Sequence, residues 1–266
     1  MQSLSTHSKN DVRAPETPAA VFENEYTRLR RIEKRIYSDE ELTRLPVIGA
    51  GHPHYGEWKS RRQSCKRLIN YLKKKQSKRS VSLGQAEINP LLILEVGCGN
   101  GWLSHRLSEL PGTRVTGLDI NQTELDQASR VFAGIKGLKF IAGDICSSKI
   151  IEERFDLIIF AASIQYFPSF KDTIQQSLRL LNSGGEVHIL DTHFYLPGEL
   201  PEARRRTLEY YRQLGFAEMA NHYFHRDINE LSAFGYLFLY RPSSFHSFFY
   251  RSTNPFPWIS IKNEIE

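Results

Sequence analysis

Apolar positions follow two different rhythms along this chain. At the start they recur at Phe22, Tyr26, Leu29, Ile32 and Ile36 with Glu and Arg between them, the spacing of an amphipathic helix. A Gly- and Pro-containing break over 46–56 follows. Beyond it Trp58, Cys65, Ile69 and Leu72 share one stripe and predict a second helix, ending in the basic run Lys73–Arg79. After Pro90 the rhythm changes to short apolar runs at Leu92–Val96, Arg114–Leu118, Lys139–Ala142, Phe155–Phe160 and Glu186–Leu190. Helical patterns near 101–110, 122–133, 147–153 and 170–181 separate them, the last closed by Asn182-Ser183-Gly184-Gly185. Beyond these lie a polar helix near 201–213, a shorter one near 227–233, and two strand-like runs, Tyr236–Tyr240 and Trp258–Ile261.

Strands that alternate with helices predict a parallel sheet covered on both faces by right-handed crossovers. The expected fold is α/β: a Rossmann-like, doubly wound, seven-stranded, mostly parallel sheet with an antiparallel terminal strand pair and an N-terminal helical cap. The expected division is a disordered tail over 1–20, a cap or lid over 21–90, and the main domain over 91–266.

Composition narrows the class. With 40% hydrophobic and 24% charged residues in 266, the chain reads as globular. No apolar run approaches the roughly 20 residues that cross a bilayer, and Met1 to Ala20 lacks an apolar core, so a cytoplasmic protein is expected. Cys65, Cys98 and Cys146 form neither a disulfide framework nor a zinc spacing, so no metal is expected. The charge is uneven: residues 1–90 carry 18 Lys/Arg against 10 Asp/Glu, and residues 91–266 carry 17 against 20. A basic first third fits either a solvated helix face or an acidic partner.

The most informative stretch is Leu94-Glu95-Val96-Gly97-Cys98-Gly99-Asn100-Gly101-Trp102-Leu103, a strand running through glycines into a helix. Glycines let the backbone turn sharply and approach a ligand, and the free N–H groups of the new helix favour an anion. An acid, Asp119, ends the next strand 18 residues beyond Gly101. A dinucleotide fingerprint needs a third glycine where Trp102 stands, so nicotinamide cofactors are disfavoured.

With Glu95 ahead of the glycines, Asp119 closing Val115–Asp119, the pair Gly143-Asp144 and the fourth run Phe155–Ile159, residues 91–190 resemble the Rossmann-like (class I) S-adenosylmethionine-dependent methyltransferases. The resemblance implies S-adenosyl-L-methionine (SAM) as cofactor. It implies that Glu95, Gly97, Gly99 and Gly101 form the loop cradling the methionine part. Asp119, with Ile120 beside it, takes the ribose hydroxyls, and Asp144 with Ile145 holds the adenine. The bland alternatives are that Glu95 only shapes the loop and that Asp144 caps a helix.

The acceptor side is less marked. The (Asn/Asp)-Pro-Pro-(Tyr/Phe) motif of certain nitrogen methyltransferases is missing after Phe155–Phe160. The layout resembles the ubiquinone/menaquinone-biosynthesis-like branch, which acts mostly on small molecules. That resemblance implies Ser163, Gln165 and Tyr166 at the edge of the transfer site. His193, in Asp191-Thr192-His193, is the candidate base for a hydroxyl acceptor, and Tyr166 the second catalytic candidate. His54 and Tyr55, in Gly51–Trp58, are candidate substrate contacts in a pocket lid. Residues 222–258 hold 12 of the 31 aromatic residues, which fits a packed terminal strand pair or an aromatic acceptor wall.

The expected function is methyl transfer to oxygen, nitrogen or carbon of a small molecule. The rivals are an RNA methyltransferase tethered by Lys73–Arg79, so that nucleic acid is disfavoured without being excluded, and a SAM-binding module without chemistry. The sequence is silent on oligomeric state.

Overall fold

The structure is a computed structural model that describes residues 18–83, 89–147, 153–242 and 254–262. Five parallel strands, β1 (Leu91–Val96), β2 (Thr113–Asp119), β3 (Leu138–Ala142), β4 (Phe155–Ala161) and β5 (Leu181–Leu190), form the body of a seven-stranded sheet. A two-stranded ladder, β6 (Phe194–Tyr195) with β7 (Arg226–Asp227), stands apart. The closing strands are β8 (Tyr236–Tyr240) and β9 (Trp258–Lys262), and the order is β3-β2-β1-β4-β5-β9-β8. Strand β9 runs antiparallel between β5 and β8, as the terminal runs predicted. Chain order reverses at β1, so the carboxyl ends of β1 and β4 open a crevice where ligands of such sheets bind.

The helices are α1 (Pro18–Ile32), α2 (Asp39–Arg44), α3 (Tyr55–Leu83), α4 (Trp102–Ser108), α5 (Gln122–Val131), α6 (Phe170–Arg179) and α7 (Leu200–Gln213). Central strands buried on both faces explain the continuous apolar runs. One face packs Leu42, Trp58, Leu68 and Leu72 of α2 and α3 against Ile93, Leu107 and Leu157. The other packs α6, through Phe170 and Ile174, on Leu94, Ile158 and Val187. The helices α2 and α3 therefore share a core with the sheet.

Three details differ from the sequence pattern. Helix α1 stops at Ile32, and Lys34 at φ +57 turns the chain, which leaves Ile32 and Ile36 about half exposed rather than on the buried stripe. Helix α2 falls where no element was expected, although its capping box is plain: Ser38 accepts from Glu41 N at 3.2 Å, and Glu41 accepts from Ser38 N at 2.8 Å. The basic run lies inside α3, not at its end, and Lys75 makes a 3.0 Å ion pair with Glu186. Residues 1–17, most of the 147–153 segment, and Phe248, Phe249 and Tyr250 lie outside the described residues. No described helix is long and apolar enough to cross a membrane.

Candidate functional site

The glycine loop turns directly off β1. Gly97 and Cys98 both donate to Leu118 O of β2, at 2.8 and 3.1 Å, and hold the loop over the sheet edge. At Gly97 (φ +71) an added Cβ would stand 2.5 Å from Cβ of Ser163, so only glycine fits between the ends of β1 and β4. Gly101 (φ +75) is the αL entry to α4, packed so tightly on Phe140 that a Cβ would lie 2.5 Å from its ring.

Asp119, at the end of β2, fastens this loop. Its Oδ2 accepts from Gly99 N at 2.7 Å and its Oδ1 from Asn121 N at 2.8 Å. Burial raises its pKa, and these backbone hydrogen bonds oppose the rise. Each carboxylate oxygen keeps acceptor capacity beyond one hydrogen bond. Asn121 caps α5 by accepting from Glu124 N at 3.0 Å, which brings Glu124 into the same crevice. Burial, with the charge of Asp119 next, pushes Glu124 up to about 7. At the end of β3 Asp144 accepts from Cys146 N at 3.0 Å in a local turn and stays exposed, while Ile145 is buried.

These residues surround a cavity of about 370 Å³ lined by Gly97, Gly99, Asp119, Ile120, Asp144 and Ile145, with Ser163 and Tyr166 from the far side and Glu23 and Tyr26 of α1 as a roof. A second cavity of about 90 Å³ shares Tyr26, Gly97, Gly99, Glu124 and Ala162 with it and reaches Glu95, Arg30, Arg35 and Arg61. Four acids, Glu23, Asp119, Glu124 and Asp144, line the larger cavity. That lining repels a pyrophosphate and suits a nucleoside with vicinal hydroxyls and a cationic sulfonium. The residues present therefore fit SAM.

Residues 90–235 match the family described as "Methyltransferase domain", more than half of the chain. The chain belongs to that family. Its cofactor is SAM, as the family and the fold indicate. The methyltransferase chain is 27% identical over 128 residues to the malonyl-[acyl-carrier protein] O-methyltransferase of Halalkalibacterium halodurans, with 44% of this chain and 46% of that protein covered. It is 32% identical over 103 residues to the fatty-acid O-methyltransferase of Mycolicibacterium smegmatis, covering 38% and 37%. The chain thus spans less than half the length of these relatives. In fold it is similar to magnesium protoporphyrin IX methyltransferase from Synechocystis PCC 6803 with bound SAM, at a TM-score of 0.55, 14% identity, and 95% and 100% coverage.

The structure brings most of the expected cofactor residues to one crevice, with two exceptions. Glu95 lines only the second cavity; it accepts from the Ser104 hydroxyl at 2.5 Å, and burial pushes its carboxyl up to about 8. Gly101 lines neither cavity and serves the turn. On the acceptor side Ser163 donates to Val96 O at 2.6 Å, and Tyr166 packs edge-on against Tyr26 with ring centroids 5.9 Å apart. Gln165 does not reach the cavity; it is buried, donating to Ala162 O at 2.7 Å and accepting from Thr192 at 3.0 Å. His193 does not reach it either, because its exposed ring lies against Tyr195 at 4.3 Å beyond the end of β5. His54 holds the end of α1 instead, its Nε2 2.6 Å from Glu33 O, and Tyr55 merely starts α3.

The residues one turn further along α3, Glu57, Trp58 and Arg61, are the ones that reach a cavity, together with Arg30 and Arg35. Trp58 stood in the stretch Gly51–Trp58 that the pattern singled out, whereas Arg30, Arg35, Glu57 and Arg61 were passed over because charged residues on a helix usually face solvent. Glu124 was legible, since Asn121-x-x-Glu124 has the spacing of a helix cap. Two non-glycine residues with positive φ follow the paired strands β4 and β5: Ala162 (φ +55), which lines both cavities and donates from its N to Leu190 O at 2.9 Å, and Asp191 (φ +54), which lines neither and accepts from Ser64. Among the described residues no group of three His, Cys, Asp or Glu is placed to hold a metal.

Proposed function

We propose that the chain transfers the methyl group of SAM to a small-molecule acceptor. The observation that carries this reading is the larger cavity itself. Asp119 and the glycine loop are bonded to each other at its base, and Tyr26 of α1 and Tyr166 after β4 close it from above.

When bound, the cofactor supplies a methyl group on a cationic sulfur, which departs as a neutral thioether. In this reading Asp119 accepts from the ribose hydroxyls, Ile120 and Ile145 pack the adenine, and Asp144 accepts from its amino group. The acids around the crevice hold the positive charge before transfer. Tyr26, which lines both cavities, and Tyr166, which packs against it in the larger one, shed water from the transfer site and fix the line of attack, and in-line displacement depends on such orientation. Helix α1 acts as the cap. Its Arg30 reaches the Tyr166 hydroxyl at 3.3 Å and the Tyr26 hydroxyl at 2.7 Å.

The small-molecule class is supported by the named O-methyltransferase relatives. The reading includes a cytoplasmic location, supported by free thiols at Cys65, Cys98 and Cys146. The test is calorimetric titration with S-adenosylhomocysteine, followed by turnover of radiolabelled SAM over carboxylate, phenol and amine acceptors. Binding with turnover on at least one acceptor is expected. Absence of binding at millimolar ligand overturns the reading, and binding without any turnover favours the non-catalytic module.

A further inference from the structure

Helix α3 carries nine Lys and Arg and no Asp or Glu between Trp58 and Lys78. Its buried stripe, Trp58, Cys65, Leu68 and Leu72, packs on the sheet. The opposite stripe is exposed: Arg62, Lys66, Asn70, Lys73, Lys74 and Ser77 follow one another at helical spacing. They span about 22 Å of one face. Arg62, Lys66, Lys73 and Lys74 make no ion pair among the described residues. Exposed cations elsewhere do: Arg130 with Asp39, Lys139 with Glu153 and Arg205 with Glu202, each at 2.8 Å. Residues 91–266 carry 20 acids against 17 bases, so the ridge is a local positive pole.

An exposed apolar residue stands on the same side. Strand β8 lies against α3: Arg67 stacks over the Tyr240 ring at 3.8 Å, and Leu239 and Tyr240 pack on the core that Leu68 and Leu72 share with Trp258. Leu237 is paired across the ladder with Ser260. Ser260 shares a face with Trp258, because its neighbours Ile259 and Ile261 enter the other core. Leu237 therefore projects on the α3 side of the sheet, where it is 60% exposed.

We propose that this face of α3, with Leu237 beside it, docks the protein on an anionic lipid bilayer. A flat array of phosphate headgroups meets all four cations of the ridge at once, and each adds to the attraction. A nucleic acid fits the ridge less well. Single strands are held in grooves whose aromatic side chains stack on the bases, and no aromatic residue stands among the six of the ridge. Trp58 is buried, and the Tyr71 hydroxyl is turned inward to donate to Glu186 at 2.6 Å. Arg61, which lines the second cavity, directly precedes the ridge, so docking brings that end of the crevice beside the lipid.

Sedimentation of the full chain with vesicles tests the proposal, comparing phosphatidylcholine alone with phosphatidylcholine containing about one-third phosphatidylglycerol. At about 0.1 M salt the anionic vesicles should bind wild type at least about 100-fold more strongly than the neutral ones, and about 0.5 M salt should remove most of that difference. One chain carrying Arg62→Gln, Lys66→Gln, Lys73→Gln and Lys74→Gln should fall to within about threefold of the neutral-vesicle level. A second chain carrying Lys136→Gln, Lys171→Gln, Arg204→Gln and Arg212→Gln, all exposed and all off α3, has the same net charge and should bind within about threefold of wild type. Should the ridge variant lose its fold by circular dichroism, Lys66→Glu with Lys73→Glu replaces it, with the same direction expected. Equal binding to neutral and anionic vesicles overturns the proposal, and so does equal loss in the two charge-matched variants. Ridge-dependent binding of a single-stranded RNA of about 20 nucleotides, without vesicle binding, also overturns it and makes nucleic acid the partner.

Discussion

Asp119 Oδ2 accepts a hydrogen bond from Gly99 N at 2.7 Å, so the acid that ends β2 is also the anchor of the glycine loop that leaves β1. One side chain therefore does two things: it shapes the loop backbone and presents its remaining lone pairs to the cavity. Asp119→Ala should lower S-adenosylhomocysteine affinity by about 100-fold, the loss of two or more charge-assisted hydrogen bonds. Asp119→Asn should lose less, since its amide oxygen can still accept from Gly99. Calorimetry measures both, and equal affinity of Asp119→Ala and wild type would remove Asp119 from the site.

Gly97 and Ser163 meet where β1 and β4 end. A methyl group at 97 combines positive φ with a 2.5 Å clash against Cβ of Ser163, so Gly97→Ala should cost on the order of 2 to 4 kcal/mol. Differential scanning should show a lower Tm and a much smaller rise on adding S-adenosylhomocysteine. Gly49, with nothing within 4 Å of its Cβ position, is the control, and Gly49→Ala should leave both quantities near wild type.

The buried Glu95 makes stability fall as pH rises. Its folded pKa, about 8, lies above the usual carboxylate value of 4.5, so between those values the folded state binds more protons than the unfolded one. Its contribution is full below about 4.5 and is lost on the way to 8, at a slope of at most about 1.4 kcal/mol per pH unit. Glu95→Gln keeps an oxygen for Ser104 and should flatten the Tm profile between pH 6 and 9. A Tm profile identical to wild type's over that range would contradict the assignment.

His193 and Tyr166 separate cleanly by position. Tyr166 lines the larger cavity and accepts from Arg30, whereas the exposed His193 ring contacts Tyr195. Tyr166→Phe should lower kcat by about tenfold through a looser cap, with S-adenosylhomocysteine affinity changed less. His193→Ala should leave kcat and its pH profile unchanged. Loss of turnover in His193→Ala, with an intact fold by circular dichroism, would restore the histidine to the mechanism.

What could be read from sequence follows the locality of each signal. The alternation of apolar runs and helical stripes located four of the parallel strands to within a residue at either end, because a strand buried on both faces must be apolar along its length; of β5 it found only the second half, since the polar Asn182–Gly185 stretch reads as the close of a helix although it belongs to the strand. The glycine loop, Asp119 and Asp144 were legible for a related reason: a backbone that turns at a strand end needs glycine, and a nucleoside needs an acid at the neighbouring strand end. Helix α2 was written in Ser38 and Glu41 as well, although its apolar stripe was too short to stand out.

Tertiary structure alone decided the acceptor side. Gln165, His193 and His54 have suitable chemistry at suitable distances along the chain, yet Gln165 is used to tie β4 to β5, His193 packs on Tyr195, and His54 holds α1. Arg30, Arg35 and Arg61 gave no sign in a helix pattern of facing a cavity, because helical periodicity records which face is apolar and not which charged residue is enclosed once α1 and α3 meet. The sequence by itself determined the sheet and pointed to the crevice proposed here for the cofactor. The packing of the N-terminal helices onto that sheet determined which charges surround it, since those contacts join residues tens of positions apart.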